Sequence, residues 1–485
     1  MQRNFRIQEG RSRGASSGRS IVILLACLSL VACGSWRIGR PKDDVAWIGL
    51  DRWQAAGEGV EGSISSGWLQ DFEDRALKKA VDEVLAGNSD LKVAASRMSQ
   101  ARESRIAGRS RGLPAISIEG SANASEAATK ASAAGKGRRY GLALAASWEV
   151  DLWGRLRDLN AADDADEQAA RATFRGARLS LAANAAKSWC DLITAEQLLE
   201  LSRSTLDANE RVLRAVERLF KGGAGQGALD VQLARTNLAA AQRAVKATEQ
   251  LRDEAARSYE VLSGRYPSAS MRAGRALPIM KKDIPLGIPA DLIERRPDLV
   301  VARAELFASA RRADATRKAL LPSLALSGRA GPFVPHLADL LDPKWLAGSI
   351  AGNFSQALDS DSSLRATARA AVAANEAAVH DYTSVALEAL REVESALGAD
   401  RSLADQEALL VREVEQAALA EKQAARDYSD GVNDDILRVL ESQSRATNAR
   451  SGLIRLRNER LQNRIDLHLA LGGDFATSPV PLDPS

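Results

Sequence analysis

The feature of the sequence that most constrains its fold is a tandem duplication. Residues 113–120, Leu-Pro-Ala-Ile-Ser-Ile-Glu-Gly, align with residues 321–328, Leu-Pro-Ser-Leu-Ala-Leu-Ser-Gly, at an offset of 321 − 113 = 208 positions. The same offset places residues 90–91 over residues 298–299, both Asp-Leu, without insertion or deletion. One offset that holds over most of the chain predicts a pseudo-symmetric molecule rather than two independent domains.

Each copy contains a long stretch with helical periodicity. No proline occurs from residue 151 to residue 266, and large apolar residues recur every seven positions from Leu192 to Phe220, the spacing of a coiled-coil seam. A helix from Asp151 to Phe220 would be about 105 Å long at about 1.5 Å per residue, so the molecule must be elongated. Glycine-containing turns at residues 220–227 and 428–431 predict that each long helix folds back on itself. The predicted helical hairpins span about residues 151–264 and 364–471.

Four shorter segments alternate apolar and polar residues, which is typical of strands with one apolar face. Strands of about ten residues are long enough to cross an outer membrane, but four strands cannot close a barrel, and open edges in lipid leave backbone groups unpaired. Two architectures stay open: a soluble α+β sheet, or a barrel to which several chains contribute. Trp148 and Trp153 are membrane-interface aromatics in the second architecture and ordinary core residues in the first. The predicted strands are about 114–125, 139–150, 322–331 and 346–357.

The beginning of the chain has the pattern of a secretory signal. Five arginines precede the apolar run 21–30, which is too short to span a bilayer as a helix. Residues 30–33, Leu-Val-Ala-Cys, resemble a bacterial lipobox, so we expect Cys33 to become the lipidated first residue; the alternative is ordinary cleavage near Ala32. Removing residues 1–32 deletes five arginines and one glutamate, and the net charge of +3 becomes +3 − 4 = −1. The basic composition therefore gives no support for nucleic-acid binding.

Each repeat is predicted to run helix, strand, strand, long helix, helix. The fold class is mainly α, with strands that would form either a soluble sheet or part of a membrane barrel. The predicted segments are a signal peptide (1–32), a lipidated N-terminal arm (33–66), a first repeat (67–276), a linker (277–290), a second repeat (291–473) and a C-terminal tail (474–485).

No pattern in the sequence predicts an enzyme. His336, His380 and His468 lack metal-ligand spacing. The glycine cluster at residues 222–227 follows a helix rather than a strand, which disfavours nucleotide binding, and no Gly-x-Ser-x-Gly nucleophile motif occurs. We therefore predict no catalytic residues, no metal and no cofactor.

Two motifs resemble those of the TolC-like outer membrane factors, in particular the NodT-type lipoproteins. They are Ser-Trp-Glu-Val-Asp-Leu-Trp-Gly-Arg at residues 147–155 and Ile-Pro-Ala-Asp-Leu-Ile-Glu-Arg-Arg-Pro-Asp-Leu at residues 288–299. The resemblance implies a homotrimer that forms a 12-stranded outer-membrane barrel and continues into an α-helical periplasmic tunnel. It implies a passive exit duct of a tripartite efflux system, with a periplasmic adaptor (membrane fusion) protein and an inner-membrane RND-type pump as partners. Alternatives are the outer-membrane component of an ABC-driven type I secretion system, a periplasmic adaptor, and a purely structural coiled coil.

The resemblance also implies residues at the periplasmic tip, where the tunnel would narrow. Asp230 matches the acid of the first tip helix, Tyr428 the aromatic of the second turn, and Glu441 an acid that would form a ring in the constriction. Arg438 stands where an acid is usual, so we expect the closing network to pair Arg438 with Asp230 or Glu441. The alternative is that all four are solvated residues of a hairpin tip.

Overall fold

The computed structural model describes residues 53–55, 67–72, 74–125, 137–222, 227–274, 276–280, 295–357, 362–430, 432 and 435–473. The first repeat contains α1 (Arg75–Gly87), α2 (Ser89–Ser110), β1 (Ala115–Ser125), β2 (Gly137–Val150), α3 (Arg155–Lys221) and α4 (Ala228–Leu262). The second contains α5 (Pro297–Lys318), β3 (Ser323–Val334), β4 (Leu346–Ser355), α6 (Ser363–Ser429) and α7 (Ile436–Ala470). The signal peptide, Cys33, most of the arm, most of the linker and the tail lie outside the described residues.

The helix boundaries confirm the duplication. Both ends of α2, α3 and α4 shift by 208 positions onto the ends of α5, α6 and α7. The long helices α3 and α6 have 67 residues each, about 100 Å at about 1.5 Å per residue, and their return helices have 35 each. The structure therefore contains the two predicted hairpins.

The predicted start of the first hairpin at Asp151 is wrong by four residues. The carboxylate of Asp151 accepts the backbone N–H groups of Leu156 and Arg157, both at 3.0 Å. It thus satisfies donors that have no partner inside the helix, and α3 begins only at Arg155. Gly154 directly before it has φ +78°, which favours glycine.

The helices of the two repeats pack side by side within one chain. α3 packs on α4, α6 packs on α7, and α3 also contacts α7. α5 lies against both α3 and α6, whereas α2 lies against α3. Along the predicted seam of α3, Leu192 and Leu199 are buried, but Phe220 at its end is 46% exposed, which corrects its assignment to the seam. No helix in the described part of the chain combines the length and apolarity needed to cross a membrane.

The four strands form one antiparallel sheet in the order β1-β2-β3-β4, so β2 and β3 join the two repeats. The strand predictions are confirmed within a few residues; β3 continues to Val334 rather than ending at 331. Gly331 makes this possible, because a Cβ there would lie 2.0 Å from the Leu142 carbonyl oxygen of β2. The edges of β1 and β4 have no strand partner within the described chain.

The register of the sheet separates an apolar face from a polar one. Leu144 is paired with Ile118 and Ala330, and Gly328 with Ile350, so alternate positions share a face across all four strands. The apolar face is exposed: Ile350 is 91% exposed and Ile118 77%. Large apolar residues on this face are Ile116, Ile118, Leu144, Leu326, Ile350 and Phe354; polar residues on the other are Ser117, Glu119, Ser147, Ser327, Arg329 and Asn353.

Candidate functional site

The first candidate region is the junction between the sheet and the long helices. Trp148 Nε1 donates to the carbonyl oxygen of Gly112 at 3.0 Å, and Trp153 Nε1 donates to that of Pro322 at 2.7 Å. Each tryptophan therefore ties the end of β2 or the start of α3 to the residues that precede a strand. Trp153 is 45% exposed and Trp148 is half-buried, so neither is enclosed in a core of the described chain.

In the second repeat, a different side chain donates the hydrogen bond that Trp148 donates in the first. Gln356, which is equivalent to Trp148, donates its Nε2 to the carbonyl oxygen of Leu320, which is equivalent to Gly112, also at 3.0 Å. The hydrogen bond is common to both repeats, while the indole is particular to the first. Trp148 thus has a geometric role beyond any preference of tryptophan for an interface.

Charged residues lie on the polar face of the sheet and at its helical end. Arg329 on β3 reaches Glu119 on β1 across β2, with an N–O distance of 3.1 Å. Arg155 Nη2 donates to both carboxylate oxygens of Glu149 at 2.7 and 2.8 Å, and so ties the start of α3 to β2. The face opposite the apolar band therefore suits contact with water.

The second candidate region is the hairpin tip, where Tyr428 is a core residue. Tyr428 is 7% exposed and belongs to a buried cluster with Val216, Val231, Ile436 and Val439. These side chains come from α3, α4, α6 and α7, so the cluster holds the two hairpin tips together. Phe220, the repeat equivalent of Tyr428, is exposed, and no such cluster covers it in the described part of the chain.

The three charged tip residues make local contacts within the chain. Asp230 accepts the backbone N–H of Gly227 at 3.3 Å and so caps its own helix, α4. Arg438 approaches Asp435, the N-cap residue of α7, at 3.7 Å. Glu441 pairs with Arg445 at 2.6 Å. Among the described residues, Arg438 does not pair with Asp230 or Glu441, because Asp435, three positions before Arg438, and Arg445, four positions after Glu441, lie closer.

Sequence reasoning missed Glu260, a buried carboxylate near the end of α4. Its Oε1 accepts the backbone N–H groups of Ser270 and Met271 at 2.8 and 2.9 Å, and its Oε2 accepts that of Ala269 at 2.8 Å. Burial alone would raise the pKa of Glu260, but these N–H groups and the Ser270 hydroxyl hold it below its ordinary value. The carboxylate therefore fixes the chain that leaves the first repeat.

His468 and Glu394 also contact segments outside the long helices and the sheet, and sequence reasoning missed these contacts too. His468, equivalent to Glu260, is 3% exposed and stacks on Trp68 with ring centroids 5.5 Å apart. Burial and the nearby Arg464 lower the pKa of His468 to about 3, so the ring is neutral. Glu394 accepts the backbone N–H groups of residues 54 and 55 at 2.8 and 2.7 Å. The repeat offset relates Glu260 to His468, which is the signal that could have drawn attention to both.

The described residues do not bring together three side chains able to hold a metal ion. Comparison with protein families and with related proteins shows which proteins this chain resembles. The model of the outer membrane efflux protein family matches residues 80–265 and again residues 288–473, two stretches that begin 288 − 80 = 208 positions apart.

The chain is similar over nearly its full length to proteins of Pseudomonas aeruginosa. It is 27% identical over 474 residues to the pyoverdine export outer membrane protein OpmQ, covering 95% of this chain and 98% of the relative. It is 28% identical over 462 residues to the outer membrane protein OprJ, covering 93% and 95%.

Solved structures show the same fold. The outer-membrane channel OprN superimposes with a TM-score of 0.83 at 26% identity, covering 92% of this chain and 99% of that one. The open state of the Neisseria gonorrhoeae MtrE outer membrane channel gives a TM-score of 0.80 at 23% identity and supports the fold alone. Because the family model covers more than half of the chain, this protein belongs to the outer membrane efflux protein family.

Proposed function

We propose that this protein is the outer-membrane exit duct of a tripartite efflux system, a passive channel rather than an enzyme. The observation that carries the proposal is the sheet: one face is apolar and exposed, the other is polar, and both edge strands lack partners within the described chain. Such a sheet suits lipid on one side and water on the other only if its edges are closed by further strands.

The repeat itself indicates how closure is reached. Within the chain, the first repeat contacts the second through β2–β3, α3–α5 and α3–α7. Shifting each pair by one repeat gives the contacts β4–β1, α6–α2 and α6–α4, which only another copy of the chain can supply. Together with the family resemblance, this supports a homotrimer with twelve strands.

The partners proposed from the resemblance are a periplasmic adaptor protein and an inner-membrane RND-type pump. Their contact would be the tip region that contains Asp230, Tyr428, Arg438 and Glu441. Glu441 is 64% exposed and paired only along its own helix, so its carboxylate can face a common axis. Lipidation of Cys33 would add an anchor in the outer membrane.

The lipid-facing assignment can be tested with two neighbouring residues of β4. Ile350 lies on the apolar face and Ala351 on the polar face. We expect Ile350→Lys to reduce the heat-resistant trimer in outer-membrane fractions, because a lysine at the bilayer midplane costs about 2–4 kcal/mol. Ala351→Lys is the matched control and should assemble normally. A greater loss with Ala351→Lys would contradict the assignment.

Conductance in planar bilayers tests the duct and its tip. The purified protein should form pores with a preference for cations, and Glu441→Gln should reduce that preference, because a ring of carboxylates attracts cations. Arg445→Gln, which removes the partner and leaves the acid, is the control and should keep it. Absence of pores would contradict the function; an unchanged preference in Glu441→Gln would contradict only the role of this residue.

A second candidate is the outer-membrane component of a type I secretion system. The names of the relatives, which include a solvent efflux pump outer membrane protein of Pseudomonas putida at 28% identity, favour efflux. Export by intact cells distinguishes the two candidates. Deletion of the gene should raise the intracellular level of a pump substrate, and it should not cause a normally secreted polypeptide to be retained in the cell.

A further inference from the structure

The polar face of the sheet consists mainly of small side chains. It is formed by the odd-numbered residues of the four strands, because odd-numbered residues pair with odd-numbered residues between all neighbouring strands. In the proposed barrel this face lines the water-filled interior, and it is called the lumen wall below. Most of its residues are serine, alanine, glycine or asparagine; the larger ones are Glu119, Arg139, Glu149, Arg329 and Phe333.

Both carboxylates of the lumen wall are already paired with arginines. Glu119 lies 3.1 Å from Arg329, and Glu149 accepts hydrogen bonds from Arg155 at the start of α3. Among the described residues, the contact of the Arg139 side chain is with Phe333, whose ring centroid lies 5.6 Å from the guanidinium carbon. Each chain therefore leaves one positive charge on the described lumen wall without a carboxylate partner.

Arg139 lies at the end of the sheet that is distant from the helices. It is paired with Asn123, two residues before the end of β1. The helices adjoin the opposite end, because α2 leads into the start of β1 and α6 follows the end of β4. The end that contains Arg139 faces the exterior in the proposed duct and is called the outer mouth below.

Phe333 holds the guanidinium group on the wall without cancelling its charge. A cation within about 6 Å of a ring centroid is attracted by the electrons of the ring face, but the ring has no net charge. Arg139 is exposed and Phe333 is 49% exposed, so the pair is not enclosed by the described chain. The charge of Arg139 can therefore act on ions in the lumen.

We infer that Arg139 is a selectivity residue at the outer mouth, where three copies of it form a ring that favours anions. The inference rests on the proposed function, since three chains must share one barrel. Rings of arginine or lysine favour anions in pores, as rings of acids favour cations. The duct therefore passes anionic cargo through its outer mouth more readily than cationic cargo.

The size of the lumen sets the salt range in which this ring acts. Twelve strands about 4.8 Å apart and tilted by about 40° enclose a barrel about 24 Å across between backbones. Screening by salt limits the field of a charge to about 30 Å at 0.01 M, about 10 Å at 0.1 M and about 3 Å at 1 M. The ring therefore acts across the whole lumen in dilute salt and only beside the wall in concentrated salt.

The connection between β3 and β4 has charges of its own beyond the strand ends. Asp342 accepts the backbone N–H of Lys344 at 3.0 Å and lies 4.0 Å from its ammonium group, so these two charges largely offset each other. Asp339 has the opposite charge to Arg139. If such loop charges controlled the outer mouth, removal of Arg139 would leave its selectivity unchanged.

A salt gradient across a planar bilayer tests the inference at one end of the duct. Protein added to one side keeps its long helices on that side, so the outer mouth faces the other. With about 0.01 M potassium chloride at the outer mouth and about 1 M at the helical end, Arg139→Gln should raise the cation-to-anion permeability ratio about threefold or more. With the gradient reversed, the ring lies in concentrated salt and the difference from the wild type should vanish.

Arg138→Gln is the matched control, because Arg138 is the neighbouring residue on the apolar face. It removes the same charge at the same height and should leave the permeability ratio unchanged. Glu119→Gln frees Arg329 from its partner and should shift the ratio toward anions. Wild-type conductance of each variant in symmetrical 1 M salt shows that the variant has folded and assembled.

The outcomes separate this inference from the proposed function. An unchanged ratio in Arg139→Gln, or an equal change in Arg138→Gln, overturns the inference while the presence of pores leaves the proposed function standing. A shift toward cations in Glu119→Gln also overturns it, because the lumen wall would then be misassigned. If the wild type forms no pores, the proposed function itself fails.

Discussion

Replacing Glu260 by glutamine tests how the chain between the repeats is held. The carboxylate accepts three backbone N–H groups, from Ala269, Ser270 and Met271. A glutamine has one oxygen and one NH2 group, so at least one of these N–H groups must face another donor. Since a hydrogen bond to a charged group contributes about 1.5–3 kcal/mol, we expect local opening of this segment to become easier by about 2–3 kcal/mol.

Hydrogen exchange of the amides of residues 269–271 measures this opening directly. A loss of about 2–3 kcal/mol corresponds to exchange about 30–150 times faster, at a factor of ten per 1.4 kcal/mol. Glu254→Gln is the control on the same helix. The Glu254 side chain is 72% exposed, and its N–O distance to Arg257 is long, at 3.9 Å, so this substitution should change little.

The pH dependence of the same exchange gives a second check. Because the pKa of Glu260 is lowered in the folded chain, its contribution is present above the pKa of the unfolded carboxyl and is lost as the pH falls through the folded value. The difference between wild type and Glu260→Gln should therefore shrink in acid. Equal exchange at neutral pH, or a difference that persists unchanged in acid, would refute the reasoning.

Three further changes have defined outcomes. Trp148→Gln should keep a near-normal trimer yield, because the glutamine can form the hydrogen bond that Gln356 forms in the second repeat. Trp148→Leu removes this hydrogen bond, so the free energy of unfolding should fall by about 1 kcal/mol and semi-native gels should show less trimer. Glu407→Leu introduces the residue found at the equivalent position of the first repeat and removes the acid that Arg457 and Arg460 share at N–O distances of 2.9 and 2.8 Å. Thermal unfolding should show a free energy of unfolding lower by about 1 kcal/mol, because solvent screens these ion pairs. An unchanged free energy of unfolding would mean that water replaces the acid. Cys33→Ser should abolish labelling by a radioactive fatty acid without preventing assembly, and a labelled serine variant would contradict lipidation at Cys33.

The elements of the fold could be predicted because their signals are long and periodic. The 67-residue helices contain many turns with the same seam. The strands alternate apolar and polar residues regularly, and the register puts Leu144 and Ile350 on one face, as such alternation predicts. The start of α3 was misplaced because a capping carboxylate at Asp151 precedes the helix and has the same polarity as a first-turn acid. Periodicity does not distinguish these two positions.

The contacts of the candidate site depend on local competition that a single sequence does not reveal. Arg438 was expected to join a network with Asp230 or Glu441, yet Asp435 and Arg445 lie nearer along the same helix and pair with Arg438 and Glu441. The partners of Glu260 lie in an irregular segment and Trp68, the partner of His468, lies in the short 3-10 helix Trp68–Phe72; neither segment is long enough to show a periodic pattern. Their roles became visible only once the backbone was in place.

The open sheet edges have a consequence for the life of the chain before it assembles. A single folded copy would carry two unpaired strands beside an apolar face in which Ile350 is 91% exposed, and such edges add further strands from any chain they meet. In water this species would be prone to aggregate. The helix contacts that lie within one copy can form during transit, while the strands gain their stability only at the membrane. Under the proposed assembly, the sheet must therefore stay unformed, or covered by another protein, until neighbouring copies and the lipid are present.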